Sequence, residues 1–359
     1  MKFLFITFLF LYNFSFSQKI EIVFCADFSG STNGIVKELQ RAVWATVNKL
    51  ESDNPAYEIS LGLVGFGRIS FGKENYYSKV IHDLRTPIND IGYTLIKLQS
   101  LTNGCEAYPQ KAINDCLENI SWSSDKSIKK IIIIVGNGGV PLKQMGLELK
   151  KARKKNVIVR PVFFKSSSNY SNGIDNWRNF AKQADTELVV SEVNTHVIKF
   201  KKYYDESFIV LSGDKLITTY LPYGSKGENK LKRLTKIINE LKVSSLENLE
   251  EMLIYQSSRK VQGSNTKWDL VDLQMSGDFD TASFNKIDLP FFMQSFTNEH
   301  IIRYIELKVK ERKLIVSKLR LELSKRNEFL NRKKQKSKHF SSKGGLSIII
   351  QNMIQEYVE

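Results

Sequence analysis

Cysteine and histidine are scarce in this chain, with 3 and 4 copies among 359 residues. Three cysteines are too few for a disulfide framework, and neither residue type occurs at the spacing of a zinc site. Cys25 lies in an apolar run, where we expect it to pack as a small hydrophobic side chain. Cys105 and Cys116 could form one disulfide in an oxidising compartment, a pairing that their spacing leaves open. The scarcity therefore argues against a disulfide-stapled fold and against a structural zinc site.

Long apolar runs are equally rare after the N-terminal segment. No stretch of about 18 consecutive apolar residues follows residue 17, so no later segment is expected to cross a membrane. The composition is 42% hydrophobic and 25% charged, with 7 prolines. These values are typical of a globular protein and exclude a collagen-like, mostly disordered or multi-spanning chain.

Residues 1–17 have the three-part pattern of a secretory signal peptide. A single lysine precedes an apolar run at 3–12, and Ser15 and Ser17 are small residues placed for cleavage after residue 17. The apolar run is too short to span a bilayer as a mature helix, with a non-cleaved anchor as the alternative interpretation. We therefore expect an exported protein, located in the periplasm, at the cell surface or secreted.

Positive charge exceeds negative charge, but the excess is local. The net charge is +15, and residues 301–359, with 15 basic and 6 acidic side chains, carry +9 of it. An exported protein with a local basic tail is not expected to bind nucleic acid. The basic stretch has three interpretations: a solvated helix face packed in a hairpin against residues 228–255, a self-associating coiled coil, or a contact with an anionic surface such as lipid headgroups or glycan.

Short apolar runs alternate with amphipathic stretches over residues 18–200. The apolar runs predict strands and the helical spacing predicts helices. The strands are expected at 19–26, 57–66, 129–135, 156–164 and 187–190, and the helices at 34–50, 89–101, 109–120, 141–154 and 177–184. Strand–helix alternation implies right-handed crossovers, and therefore an α/β fold with a doubly wound, mostly parallel sheet and flanking helices.

The pattern changes after residue 200 and predicts a mainly α-helical C-terminal region. Residues 201–297 are interpreted as a connecting region that contains a short hairpin around Gly213 and Asp214. A single helix is expected to follow at residues 228–255, where apolar side chains recur at helical spacing.

Two further segments complete the expected organisation. Residues 298–331 are interpreted as a long basic helix, because apolar residues recur in steps of three and four, with Arg312 and Arg326 at two core-type positions. Residues 332–359 are interpreted as a polar linker followed by a terminal amphipathic helix.

A cluster of oxygen-bearing side chains follows the first strand. Asp27, Ser29 and Ser31 alternate along a loop that leads into a helix. Ligands of doubly wound sheets bind at the carboxyl ends of the strands, and carboxylate and hydroxyl oxygens suit a hard cation such as Mg²⁺ or Ca²⁺. The hydroxyls could ligate directly, and Asp27 directly or through a water. The alternative is that these residues only cap the following helix.

This arrangement resembles the von Willebrand factor A (vWA) domains, which carry a metal-ion-dependent adhesion site (MIDAS). The resemblance rests on the Asp-x-Ser-x-Ser motif from Asp27 to Ser31, placed after the first apolar strand. A helix and a strand that ends in the sequence LVGFG, residues 63–67, follow it. The resemblance covers residues 19–200 and implies a Rossmann-like vWA fold of a bacterial, exported type.

The resemblance also implies a ligand set drawn from three loops. The second loop offers Thr102 or Glu106, and the sequence does not choose between them. The third loop has Asn137 where the family commonly has an aspartate. Because one negative charge is lost, the resemblance implies a degenerate MIDAS with reduced cation affinity. The implied ion is Mg²⁺, with Mn²⁺ or Ca²⁺ as alternatives.

Motifs that carry catalysis are missing from the sequence. No nucleophile elbow, phosphate-binding loop or histidine-rich metal motif occurs, so we expect no enzyme. The first hypothesis is an exported binding module for protein–protein or surface adhesion, in which an acidic side chain of a protein partner completes the metal site. The alternative is an envelope scaffold with a metal-poor vWA domain that associates through its C-terminal helices. The oligomeric state is left open.

Overall fold

A computed structural model describes most of the chain, in nine stretches. They are residues 19–32, 34–53, 57–99, 104–165, 173–192, 203–258, 261–280, 285–336 and 345–358. The expected signal peptide, residues 1–17, lies outside the described residues, and so does the candidate ligand Thr102. Among the helices that the structure describes, none combines the length and the apolarity needed to cross a membrane.

A six-stranded sheet forms the centre of the first half of the chain. Its strand order is β3-β2-β1-β4-β5-β6, and every neighbouring pair is parallel except β2 with β3. The strands are β1 (Lys19–Asp27), β2 (Glu58–Phe66), β3 (Ser78–His82), β4 (Lys129–Gly136), β5 (Val157–Lys165) and β6 (Val189–Glu192). The structure therefore confirms the doubly wound, mostly parallel sheet, and adds β3 as an antiparallel edge strand.

Helices cover both faces of this sheet. In β1, Ile22 and Phe24 face one hydrophobic cluster, whereas Val23 and Cys25 face the other, as the alternation of side chains along a strand requires. One face packs against α1 (Ile35–Asp53) and α2 (Ile88–Gln99). The other face packs against α3 (Pro109–Glu118), α4 (Leu142–Lys154) and α5 (Ile174–Gln183).

The C-terminal region is helical, as expected, and it packs onto the sheet domain. Its helices are α6 (Glu206–Ile217), α7 (Gly224–Ser244), α8 (Leu246–Ser257), α9 (Leu270–Ser276), α10 (Asn298–Lys336) and α11 (Leu346–Val358). The α11 side chains Ile350 and Met353 belong to the same hydrophobic cluster as β1 and α1. On α8, the Glu251 backbone carbonyl accepts a hydrogen bond of 2.9 Å from the Asn48 side chain of α1.

The hairpin expected around Gly213 is wrong, because residues 206–217 form helix α6. Asp205 caps this helix by accepting a hydrogen bond from the Phe208 amide (2.8 Å). The buried residues of α6 are Ile209, Ser212, Gly213 and Leu216, which recur at helical spacing. Gly213 is not a turn residue: a Cβ there would lie 3.3 Å from Ile238 of α7, so the glycine allows α6 and α7 to pack closely.

The single helix expected at residues 228–255 is also wrong, because two helices occupy this stretch. The break lies at Ser245, whose backbone is extended, with φ −164° and ψ 104°. The Ser245 side chain accepts a hydrogen bond from the Asn248 amide and so caps α8. The helical spacing of apolar residues continues across the break, which is why the sequence pattern did not reveal it.

Helix α10 buries its apolar stripe within this chain. Ile305, Val316, Leu319 and Leu323 are buried against other elements of the C-terminal region. The two core-type arginines are buried in ion pairs: Arg312 with Asp269 and Asp272, and Arg326 with Glu250 and Glu251. The seam that the coiled-coil interpretation requires is therefore occupied by intramolecular contacts at these described positions.

Candidate metal site at the carboxyl edge of the sheet

Asp27 is the last residue of β1, and its side chain is fully buried at the carboxyl edge of the sheet. Carboxylate Oδ1 accepts a hydrogen bond of 2.8 Å from the Ser29 amide, which turns the chain away from the strand direction. A 3₁₀ turn, Gly30–Thr32, follows, and α1 begins only at Ile35. The alternative interpretation, that the motif side chains cap α1, is therefore wrong.

The position of this loop in the sheet explains why it is suited to ligand binding. The strand order 3-2-1-4-5-6 is that of a doubly wound sheet, in which chain connections diverge between β1 and β4. These two strands pair in parallel, with Ala26 opposite Val135. The loops that follow them therefore start side by side, and a crevice opens between them at the point where ligands of such folds bind.

The structure brings Ser29, Ser31 and Asn137 together across these two loops. The Ser29 and Ser31 hydroxyl oxygens are 3.1 Å apart, and the Ser31 hydroxyl donates to Asn137 Oδ1 at 2.7 Å. Because Ser31 has one hydroxyl hydrogen, Ser29 is the donor in the first contact. Asn137 Nδ2 donates in return to the Ser31 carbonyl oxygen (2.9 Å). The amide thus ties the two loops together, and the serine oxygens keep free lone pairs.

The second carboxylate oxygen of Asp27 is the unusual atom of the site. Oδ2 is buried and makes no hydrogen bond, although buried polar atoms in proteins are nearly always paired. Burial raises the pKa of the Asp27 carboxyl to about 6, against the opposing effects of hydrogen bonding with Ser29 and of the backbone amides of Asn137 and Gly138. These amides lower the pKa as hydrogen-bond donors near the carboxyl, although none of them reaches Oδ2 at a normal hydrogen-bond distance and angle.

Two glycines that the sequence analysis did not select shape the site. Gly67, after β2, has a positive φ of 75°, and a Cβ there would lie 2.7 Å from Asp27 Oδ1. Gly104 in the second loop crosses directly over the backbone of Gly30, where no Cβ fits. The Cys105 amide donates to the Gly67 carbonyl oxygen (3.0 Å) and fixes this crossing. Glycine at the ends of β2 and of the second loop was the sequence signal that could have revealed both positions.

A cleft of about 490 Å³ opens above the cluster. Glu106 lines this cleft, but it is exposed and accepts a hydrogen bond of 2.6 Å from the Tyr108 hydroxyl. It therefore lies at the rim and outside the hydrogen-bonded cluster of Asp27, Ser29, Ser31 and Asn137. Thr102, the other candidate from this loop, is outside the described residues. The cleft is lined by Ser29, Gly30, Ser31, Gly104, Cys105, Glu106, Ala107, Gly138 and Gly139.

The donor set is rich in oxygen and poor in charge. It contains one carboxylate, two hydroxyls and one amide, and these groups suit a hard divalent cation. Within the part of the chain that the structure describes, no group of three or more His, Cys, Asp or Glu side chains is arranged to hold a metal ion. The residues fit a hard cation because the buried Asp27 Oδ2 is unpaired and the same loop carries the Ser29 and Ser31 hydroxyls. The single formal charge of the cluster argues for modest affinity.

The cysteines take no part in a disulfide. All three are free thiols, and the pairing considered between Cys105 and Cys116 is not formed. Cys116 lies instead beside Cys25 between α3 and β1; burial, followed by the contact with Cys116, raises the pKa of the Cys25 thiol. Burial also raises the pKa of the Cys105 thiol at the cleft, which disfavours the reactive thiolate form.

No family model and no curated protein sequence matches this chain. Among solved structures, it is similar to the VWA domain of SpRpn10, with 14% identity and a TM-score of 0.35 over 49% of this chain and 87% of that chain. It is also similar to proximal thread matrix protein 1 from the mussel byssus, with a zinc-occupied MIDAS motif (12% identity, TM-score 0.34, 48% of this chain and 41% of that chain). A third is an aerotolerance-related membrane protein from Bacteroides fragilis (12% identity, TM-score 0.35, 49% of this chain and 92% of that chain).

Each of these three alignments covers about half of this chain. Their sequence identities and TM-scores are too low to support a functional argument. The fold follows from the chain itself. The sheet has the doubly wound order with one antiparallel edge strand, and the Asp-x-Ser-x-Ser loop lies at the end of its first strand, beside the loop after β4. The sheet-bearing half of this protein therefore has a vWA-like fold.

Proposed function

We propose that this protein is a non-catalytic binding module whose sheet edge holds a divalent cation and binds an acidic side chain of a protein partner. The observation that carries the proposal is the buried Asp27 Oδ2, which has no hydrogen-bond partner and belongs to the loop that carries the Ser29 and Ser31 hydroxyls, 3.1 Å apart. An ionised carboxylate is costly to bury without compensation, and a cation would provide it.

Each residue of the cluster would have a different role in binding the cation. The Ser29 and Ser31 hydroxyls would hold the cation, while Asp27 would balance its charge from below. Asn137 fixes the orientation of Ser31 through two hydrogen bonds. A bound cation would supply a Lewis-acidic position that the carboxylate of a partner can complete. Mg²⁺ is the preferred ion for this set of oxygen donors, with Mn²⁺ and Ca²⁺ as alternatives.

The absence of catalysis is part of the proposal. The described residues that line the cleft include no histidine, and the raised pKa of the Cys105 thiol disfavours a nucleophilic thiolate. The described lining residues therefore offer no nucleophile that is activated by a histidine and no cysteine thiolate. The proposal includes export, for which the pattern of residues 1–17 is the support.

The alternative function, a scaffold that associates through its C-terminal helices, has one observation for it and one against it. The observation for it is Asn137, because an amide at this position leaves the cluster with a single formal charge, as expected of a domain that binds metal weakly. The apolar seam of α10 is buried within the chain along its described positions, and it is therefore unavailable for association. The binding module is the function that the geometry favours.

Calorimetric titration of Mg²⁺, Mn²⁺ and Ca²⁺ into the full chain tests the metal half of the proposal. We expect binding of at least one ion, and its loss in Asp27→Asn, which keeps the side-chain shape and removes the charge. The matched control is Asp125→Asn. Asp125 precedes β4 at the opposite edge of the sheet and accepts from the Ser127 amide (2.8 Å) in the same Asp-x-Ser geometry, but it is exposed. Unchanged cation binding by Asp27→Asn would contradict the proposal.

A short glutamate-rich peptide tests the partner half. We expect the full chain to bind the peptide in Mg²⁺ and to release it when EDTA is added, because the peptide carboxylate would complete the coordination of the cation. The Asp125→Asn variant should behave in the same way as the wild type. Peptide binding that survives EDTA would show that the carboxylate contacts the protein by another route.

A further inference from the structure

Helix α10 presents a line of exposed leucines on the face that points away from the protein. Leu307, Leu314 and Leu321 are 50%, 56% and 59% exposed. Their spacing of seven residues returns to nearly the same side of an α-helix after two turns, so the three side chains form one row about four turns long. Single exposed leucines are ordinary on protein surfaces, but an aligned row on one helix is not.

Lysines accompany this row of leucines. Lys310, Lys313 and Lys318 are exposed, and none of them forms an ion pair with a side chain that the structure describes. Lys310 and Lys318 lie between successive leucines on the same face. Two further exposed cations of the helix, Arg303 and Lys325, are paired with glutamates within α10.

The basic residues on the inward face of α10 differ from the outward lysines in their ion pairing. Arg312 and Arg326, the two inward-facing arginines, are neutralised by buried carboxylates of α8 and α9 and of the residue before α9. The outward lysines have no such partners among the described residues. The helix therefore divides its basic residues into an internally compensated set and an external set that remains free to attract an anionic surface.

Exposed aromatic side chains lie at the start of the same helix. Phe291 is 89% exposed, and Phe292 is 49% exposed with its ring centroid 5.6 Å from that of Tyr304. Tyr304 precedes Leu307 by one turn, so Phe292 lies close to the beginning of the leucine row. Aromatic residues next to a basic apolar face are typical of helices that lie in a membrane interface.

A second copy of this chain does not suit this face. A helical zipper needs apolar residues at two positions of every seven, but the positions that would alternate with the leucines are Lys310, Ser317 and Ser324. Two such faces would also bring uncompensated lysines together. An anionic bilayer suits both features, because its phosphates complement the lysines and the leucines can enter between headgroups while the lysine stems extend to the surface.

We propose that the outward face of α10, defined by Leu307, Leu314, Leu321, Lys310, Lys313 and Lys318, docks this protein on the surface of an anionic lipid bilayer. The helix lies parallel to the membrane, with its leucines at headgroup depth and its lysines on lipid phosphates. This docking surface belongs to the C-terminal region and uses no residue of the candidate metal site, so it does not depend on the proposed function.

Flotation of the full chain with vesicles tests this surface. We expect the protein to float with phosphatidylcholine vesicles that contain phosphatidylglycerol, and not with phosphatidylcholine alone, with binding that weakens as salt is added. The triple variant Lys310→Gln, Lys313→Gln, Lys318→Gln should lower the partition coefficient by about a hundredfold, at roughly fivefold for each charge near the surface. The triple variant Leu307→Ser, Leu314→Ser, Leu321→Ser should also bind more weakly and should be released completely at high salt.

Helix α4 offers a matched control because it carries the same residue types without the leucine row. Lys143, Lys150 and Lys154 are exposed, and Leu147 is a single exposed leucine on that helix. Replacing these lysines with glutamine, or Leu147 with serine, should leave flotation close to that of the wild type. An equal loss in the α4 and α10 lysine variants would overturn the proposal, since bulk charge would then explain binding.

Two other outcomes would also overturn the proposal. One is equal flotation with neutral and anionic vesicles, and the other is binding to heparin without any binding to vesicles, which would indicate a soluble polyanion. If a triple variant fails to fold, as judged by its thermal unfolding, the single charge reversal Lys318→Glu takes its place. This variant should lower the partition coefficient more than Lys143→Glu on α4 does.

Discussion

Two buried charged side chains, Arg312 in the C-terminal region and Asp27 in the vWA-like half, are paired to different extents. In the helical C-terminal region, Arg312 is fully buried, and its guanidinium donates to Asp269 (2.5 Å), to Asp272 (2.7 Å) and twice to Thr219. It also lies over the Tyr220 ring, at 4.1 Å from the centroid. In the vWA-like half, Asp27 is buried to the same extent, but one of its carboxylate oxygens has no hydrogen-bond partner.

This difference separates a structural site from a binding site. The Arg312 network is complete without a ligand, and its role is to join α10 to the residues around α9. The Asp27 cluster is incomplete, since its buried carboxylate has a pKa raised to about 6 by burial. At the sheet edge where ligands of doubly wound folds bind, a buried carboxylate oxygen that stays unpaired supports the presence of a ligand site. Substitutions at each of the two sites test this difference.

The largest effect is expected for Arg312→Met. The substitution would leave the Asp269 and Asp272 carboxylates buried without their cation, which costs about 3–5 kcal/mol of unfolding free energy in comparable cases. Chemical denaturation measures the change in unfolding free energy. Arg303→Met serves as the control, because Arg303 is exposed and pairs only with Glu299 within one helix turn, and its loss should cost about 0.5 kcal/mol or less. Similar losses for both variants would show that the buried network is dispensable.

A smaller effect of opposite sign is expected for Asp27→Asn in the absence of metal. The folded carboxyl has a pKa of about 6 against an ordinary value of 3.8, so the charged form is disfavoured by on the order of 2–3 kcal/mol at pH 7. The variant should therefore be more stable than the wild type in EDTA.

The pH dependence of that difference follows from the sign of the shift. Because the folded state retains its proton up to a higher pH, the contribution of Asp27 to stability is present below pH 3.8 and is lost as the pH rises through about 6. The advantage of Asp27→Asn should thus be complete at pH 7 and should disappear towards pH 4. An advantage that does not change with pH would mean that ionisation of Asp27 is not its cause.

A gain of function is expected for Asn137→Asp. The substitution places a second carboxylate at the end of β4, 2.7 Å from the Ser31 hydroxyl in the present geometry of Asn137. Cation affinity should rise by about tenfold, which corresponds to about 1.4 kcal/mol. Stability without metal should fall, because two carboxylates then lie close together. Calorimetric titration measures the affinity.

Asn239→Asp on α7 is the control for Asn137→Asp, because it adds the same charge at an exposed position in the other half of the chain. It should leave cation affinity unchanged. If Asn137→Asp binds the cation no better than the wild type, the end of β4 does not contribute to the metal site.

The smallest effect is expected for Glu106→Gln. Glu106 is exposed at the rim of the cleft and hydrogen-bonded to Tyr108, and charges in contact with water interact weakly with a distant ion. Titration should show a decrease in cation affinity well below that of Asp27→Asn. A loss as large as that of Asp27→Asn would place Glu106 among the ligands.

The sequence pattern predicted the secondary structure correctly where burial and the periodicity of apolar residues agree. The β-branched run of β4 and the apolar run of β1 predicted the central strands, and parallel pairing then placed Asp27 and Asn137 at one edge. The antiparallel strand β3 was missed because Ser78–His82 is short and only partly buried. Gly213 and Asp214 have the composition of a turn, but tertiary packing of α6 against α7 overrides that local preference.

The candidate site could be located from the sequence, but its details could not. The motif identified the donors, whereas the orphaned Asp27 Oδ2 and the two hydrogen bonds between Ser31 and Asn137 depend on contacts between loops 106 residues apart. The crossing of Gly104 over Gly30 depends on such contacts as well. A local sequence pattern cannot predict distances between residues that are so far apart in the chain.

The most direct measurement of the central claim is the unfolding free energy of the wild type and of Asp27→Asn, each in EDTA and in saturating Mg²⁺. A ligand that binds only the folded state raises this free energy according to its affinity. We expect Asp27→Asn to be the more stable chain in EDTA, and Mg²⁺ to stabilise only the wild type and so close or reverse the difference. Equal stabilisation of both chains by Mg²⁺, or none of either, would contradict the account.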